Sequence, residues 1–134
     1  MGANTVAVLM VETQLPIMMK VANALAVPKG TFLNLDSAFT VTAADTNEDV
    51  FAGIAAEEKI ANDGKTHIAV YRDGIFKVEA GAGGVTIGLP VGIVALNNFT
   101  NTTDGDDIKG ANFGLALETA ADTEFFLLDL GRAN

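Results

Sequence analysis

The run Thr66-His67-Ile68-Ala69-Val70-Tyr71-Arg72-Asp73-Gly74-Ile75-Phe76-Lys77-Val78-Glu79 decides the fold class. Apolar and polar residues alternate on both sides of Asp73-Gly74, and β-branched and aromatic side chains dominate, as in half-buried strands. Asp-Gly between two such runs supplies the positive φ angles of a tight turn, so the stretch reads as a hairpin. The same pattern continues outward. Residues 31–35 and 39–43 alternate at period two, and residues 124–130 are apolar on both faces at their middle, the mark of a central or interface strand. Asn62-Asp63-Gly64, Gly81-Ala82-Gly83-Gly84 and residues 101–107 punctuate the chain as turns or loops. A helix over 45–61 is interrupted by Gly53. Short, closely spaced strands predict a mainly β protein, a small β-barrel or β-sandwich.

An internal echo divides it. Val27-Pro28-Lys29-Gly30 recurs as Leu89-Pro90-Val91-Gly92, the prolines 62 residues apart, and Phe51 and Phe113 keep that spacing. Gly53-Ile54-Ala55-Ala56-Glu57 returns as Gly114-Leu115-Ala116-Leu117-Glu118, and 66–74 matches 123–131 loosely. The expectation is one β-rich domain over 27–134, built from two similar halves, 27–79 and 89–131. The glycine-rich 81–84 would connect them. Residues 1–26 are left as an extended N-terminal arm or a first strand.

A chain of 134 residues is one domain's worth, and it has no cysteine, which removes disulfides, thiolate metal sites and thiol nucleophiles together. The net charge of -9 argues against nucleic acid as a partner, because affinity for polyanions comes from lysine and arginine. That charge is uneven: Glu12, Lys20 and Lys29 leave residues 1–30 at +1, so the remainder carries -10. Within residues 1–30 the stretch 6–19 is largely apolar and holds three of the four methionines, Met10, Met18 and Met19. Glu12, Thr13, Gln14, Pro16 and Lys20 break it too often for a membrane span, and nothing basic precedes Lys20 as a signal peptide requires. Two readings stand: core of the domain, or an arm that docks on a partner through Val6, Val8, Leu9, Met10, Val11, Leu15, Pro16 and Ile17. Pro16 pushes Leu15 to extended geometry and so disfavours a helix there.

The sequence carries no convergent catalytic set. The one serine, Ser37, follows Asp36 at a turn, and the one histidine, His67, faces away from Ile68 and Val70 on its strand. A lone histidine without cysteine makes a transition-metal site improbable. Glu57-Glu58 and Asp106-Asp107 are neighbours on opposite strand faces, so neither pair converges as acid and base, and both read as solvated charge. Asp104-Gly105-Asp106-Asp107 departs from the EF-hand order at Ile108. Residues 81–86 lack the third glycine of a dinucleotide site, and Asn98-Phe99-Thr100 and Asn101-Thr102-Thr103 match a glycosylation pattern without a secretory signal. No enzyme, cofactor or metal site is expected. A sugar- or host-binding module is disfavoured by aromatics limited to eight phenylalanines and Tyr71. A biotinyl- or lipoyl-type carrier would need its modified lysine at a hairpin tip, and the sole Met-Lys pair, Met19-Lys20, lies in the N-terminal stretch.

Acidic and cysteine-free, with Pro-x-Gly entries at Pro28 and Pro90, two Gly-[Ile/Leu]-Ala-x-Glu strands, the 71–77 run Tyr-Arg-Asp-Gly-Ile-Phe-Lys and an apolar N-terminus, the chain resembles the head-decoration, or capsid cement, proteins of tailed bacteriophages. The resemblance covers about residues 27–131 and implies a structural virion protein on the outer capsid surface. It further implies the major capsid protein as partner, self-association as a homotrimer, stabilisation of the expanded shell, and a docking role for residues 6–17. Neither nucleic acid nor membrane is among the partners it implies. Deleting residues 1–17 is then expected to weaken attachment and leave the barrel folded.

Overall fold

The structure, a computed structural model, describes residues 6–45, 49–102 and 112–131. The described residues form eleven strands and no helix: β1 (Val8–Val11), β2 (Ile17–Val21), β3 (Phe32–Ser37), β4 (Thr40–Ala43), β5 (Phe51–Ala55), β6 (His67–Tyr71), β7 (Gly74–Ala80), β8 (Pro90–Ala95), β9 (Asn98–Asn101), β10 (Gly114–Ala116) and β11 (Phe125–Leu130). Strands β2-β4-β3-β5-β6 close a first barrel. Strands β7-β11-β10-β8-β9 close a second through a β7–β9 pairing, and β1 adds to the edge of β7. The all-β architecture of two similar halves is thus present, each half closing on itself. Both barrels use the same pairings: each closes through one parallel contact, β2–β4 or β7–β9, and is antiparallel elsewhere.

The repeat is deeper than the echo in the sequence. Leu33 pairs with Gly53 and Val91 with Gly114, so the two Gly-x-Ala-x-Glu strands are true counterparts. At both glycines an added Cβ would collide with a backbone carbonyl, that of Tyr71 at 2.3 Å or Asp129 at 2.4 Å, and no side chain fits. The proline echo, however, is out of register. Val27 bridges Lys59 as Val85 bridges Ala120, so Val85 matches Val27, whereas Leu89-Pro90 runs directly into β8. The halves accordingly start at β2 and β7, earlier than 27–79 and 89–131 suggested.

The hairpin expected at Asp73-Gly74 does not form. Strands β6 and β7 both form, but they do not pair with each other. Strand β6 is flanked by β2 and β5, and β7 by β11 on one edge and β1 and β9 on the other, leaving neither an edge for its sequence neighbour. Asp73-Gly74 is the crossing between barrels. Gly74, at φ 129, already belongs to β7 and lies so close to β1 that a Cβ would stand 3.1 Å from the Val11 carbonyl. The tight two-residue turns lie elsewhere, at Ala38-Phe39 and Leu96-Asn97, where Phe39 (φ 53) and Asn97 (φ 58) take the left-handed position without glycine. Gly81–84 turns between β7 and β8 inside the second barrel and does not join the halves.

The barrels meet through rings. In β3, Leu33 points into the first barrel and its neighbour Phe32 points out, into the core of the second. Phe32 meets Phe99 edge-on with centroids 4.3 Å apart and also contacts Phe113, which in turn contacts Phe51. The Phe32 N–H donates to Asn97 Oδ1 at 3.0 Å, which satisfies a buried donor at this junction.

Candidate interaction surface

Residues 6–16 run as a strap across both barrels. Ala7 is buried, and its N–H donates to the Gly30 carbonyl of the first barrel at 2.9 Å. Gly30 at φ 89 allows this approach, since a Cβ there would stand 2.5 Å from the Ala7 carbonyl. Strand β1 then pairs with β7 of the second barrel, Val8 opposite Lys77 and Val11 opposite Ile75, with a bulge between. Further on, Thr13 Oγ1 donates to Asp73 Oδ1, and the Tyr71 hydroxyl bonds Glu12. Burial first, then the Glu12 charge and hydrogen bond, raise the Tyr71 pKa above its ordinary 10.0. A cleft of about 380 Å³ remains between strap and first barrel, lined by Val6, Ala7, Val8, Leu9, Lys29 and Tyr71.

The eight residues expected to bind a partner are divided by this geometry. Leu9 packs on the core, and Val6 and Pro16 are half-buried. Val8, Met10, Val11, Leu15 and Ile17 face solvent, Leu15 at 76% exposure. Because Ala7 and Leu9 belong to the core, removing residues 1–17 would strip packing from the second barrel and not merely unhook an arm.

The exposed strap residues join a larger apolar face that sequence reading missed. Across β1, β7 and β11 lies the row Val8, Lys77, Leu127, and Leu117 follows by donating its N–H to the Leu127 carbonyl. Beside it runs Val11, Ile75, Asp129, Leu115. Phe125 lies at one end with the Lys77 ammonium 5.1 Å above its ring. Outward positions on such a sheet are normally polar. The available signal was 124–130, apolar on both faces. Its inward set, Phe126, Leu128 and Leu130, fills the barrel, and its outward Phe125 and Leu127 build this face.

The candidate chemical groups have structural tasks. Glu57 is not a freely solvated charge: its carboxylate accepts from the Ala69 N–H at 2.7 Å and from Lys65 Nζ at 2.9 Å, and these bonds lower its pKa. Its counterpart Glu118 accepts from the Leu127 N–H in the same way. Ser37 and His67 lie in β3 and β6, with β4 and β2 between them along the row Ser37, Thr40, Lys20, His67. Lys20 sits within paired β2, not at the hairpin tip a carrier lysine needs. Residues 104–107 lie outside the described residues. Among the described residues no group of three or more His, Asp or Glu side chains converges.

What these elements define is a helix-free tandem of five-stranded barrels bound by an N-terminal strap. The N base of head fibre gp8.5 of bacteriophage phi29 has the same fold, with a TM-score of 0.56 over 93% of this chain and 98% of that one, at 16% identity. No family model and no curated protein matches the chain.

Proposed function

We propose that this protein is a non-catalytic structural virion protein that attaches to the outside of a phage shell and stabilises its expanded form. Its partners are the major capsid protein and further copies of itself, as a homotrimer. The observation that carries the reading is the fold shared along nearly the whole of both chains with the base of a phage head fibre. The largely apolar face of β1, β7, β11 and β10, with Lys77 and Asp129 set among its aliphatic side chains, supports it, since such a sheet face on an acidic protein is what a partner would cover. Repeated copies on one shell turn modest contacts into firm attachment by raising effective concentration. The fibre base also supports a second reading, in which the barrels seat an appendage on the shell without bracing it.

The test adds purified protein to decoration-free expanded shells and follows co-sedimentation and rupture temperature. Binding with a raised rupture temperature is expected, and Val8→Glu, at a position 54% exposed and opposite Lys77, should abolish it while changing stability within about 0.5 kcal/mol, as exposed substitutions do. Binding without a gain in rupture temperature would favour the appendage reading. Absence of binding would overturn both.

A further inference from the structure

The duplication exposes a missing strand. In the second barrel β9 covers only Glu79 and Ala80 on one edge of β7, and β1 covers the rest, Ile75 to Lys77. In the first barrel β4 likewise covers only Lys20 and Val21 of β2. Along the remainder of that edge, Ile17 to Met19, no described strand pairs with β2, whose other edge is taken by β6. The Lys20 N–H donates to the Phe39 carbonyl on the β4 side, and strand geometry turns the backbone groups of alternate residues to one edge. The N–H and C=O of Met18 therefore face the bare edge. Met18 stands where Lys77 stands in the second barrel, two residues before the start of the parallel contact, and Lys77 pairs with Val8 of β1.

We infer that the bare edge of β2 is a strand-docking site for a second copy of this chain, taken up by the outer edge of that copy's β1. Strand β1 ends its own sheet, so among the described residues no strand pairs with its outer edge either. Each chain carries one edge of each kind. Neither carries a blunting charge: β1, though short and bulged, is Val-Leu-Met-Val, and 15–19 is Leu-Pro-Ile-Met-Met, with its proline ahead of the strand. Charge selects the same place. Residues 31–134 carry -10 and repel their like, whereas residues 1–30 carry +1 and let two copies approach. Pairing would run one sheet through β7 and β1 of one copy into β2 and β6 of the next. The contact is head-to-tail, so it closes into a ring or extends, according to the rotation between copies. This deepens the self-association in the proposed function and does not depend on the shell.

Sedimentation of the full chain over a range of concentrations tests it, with hydrogen exchange followed at the Met18 amide. The intact protein should self-associate, and Met18 exchange should slow as it does. Met18→Pro, which removes an edge N–H without breaking an internal bond, should raise the dissociation constant at least roughly tenfold, whereas Met18→Ala should leave it nearly unchanged. Met10→Lys places charge on the opposing edge and should weaken association independently if the proline variant folds poorly. A protein monomeric at every concentration, or one whose Met18 amide exchanges equally fast in monomer and oligomer, would overturn the inference. So would undiminished association of both the proline and lysine variants. Monomers that still bind and brace shells defeat this inference alone, and oligomers that ignore shells defeat only the shell reading.

Discussion

The first barrel closes over Met19, Val21, Val27, Leu33, Val41, Ala52, Ala55, Ile68 and Val70, with no ring among them, whereas the second encloses Phe76, Phe99, Phe113 and Phe126. Their strand pairings are the same. The first fills itself with small aliphatic side chains and adds one buried lysine: Lys59 Nζ donates to the carbonyls of Asn23 and Ile60 and to Asp63 Oδ1. At the equivalent bridge the second has Ala120, with no charge to hold. The second instead draws on its surroundings, taking Phe32 from the first barrel into its core and β1 onto its edge. Equivalent turn positions show the same divergence: Asn97 is buried and accepts from Phe32, whereas Phe39 is 54% exposed. One chain topology thus supports a self-contained barrel and a dependent one, and the volume of the side chains at matching positions decides which.

That dependence can be broken most directly at the junction. Phe32→Ala removes a fully buried ring that meets Phe99 and Phe113, at an expected cost of about 3–5 kcal/mol. Residue-resolved hydrogen exchange should show amides of β7 to β11 losing protection before those of β2 to β6. An equal loss in both would mean that the barrels unfold as one unit and that the first is not self-contained. A smaller effect separates the two matched glycines. Alanine at Gly53 or Gly114 drives a Cβ into a carbonyl, but Gly53 alone also has φ +144. Gly53→Ala should therefore be less stable than Gly114→Ala by about 1–3 kcal/mol in denaturant unfolding. Equal values would indicate that the small-residue barrel relaxes where the aromatic one does not.

Period-two alternation located β6, β7 and β11 well because it reports one buried face, whereas β3 buries Phe32 and Leu33 on opposite faces. The alternation carries no information about which strand lies alongside. Strands β6 and β7 are separated in sequence by Arg72-Asp73 alone, and only the occupancy of their edges by β2, β5, β11 and β1 shows that they part. The Gly-x-Ala-x-Glu repeat was legible because packing demands it: the glycine permits close approach of a carbonyl, and the glutamate receives the N–H of Ala69 or Leu127. The proline repeat had no such demand behind it and fell out of register. For the interaction surface, the apolar strap was visible as composition, but its division into inward Leu9 and outward Val8 and Val11 depends on the bulged pairing with β7. The pattern marks 124–130 as a central or interface strand and says nothing of which way Leu115, Leu117 and Leu127 face. Only the barrel's closure turns them outward.

The smallest expected difference between the barrels is in their response to acid. The Asp63 carboxylate accepts from the Lys65 N–H, the Lys59 ammonium and the Ile60 N–H, and these bonds lower its pKa from the ordinary 3.8 to about 2. A depressed carboxylate contributes stability that is complete above its unfolded value and is lost as pH falls through its folded one. Asp63→Asn should therefore melt below the intact protein at neutral pH, with the gap narrowing as pH falls from about 5 towards 2. Asp63 lies at the surface, so the gap should be small and should shrink in salt. Melting temperatures of both proteins across that range measure it. A gap that stays constant down to pH 2 would show that the carbonyls of Asn23 and Ile60 hold Lys59 in the first barrel without help from the Asp63 charge.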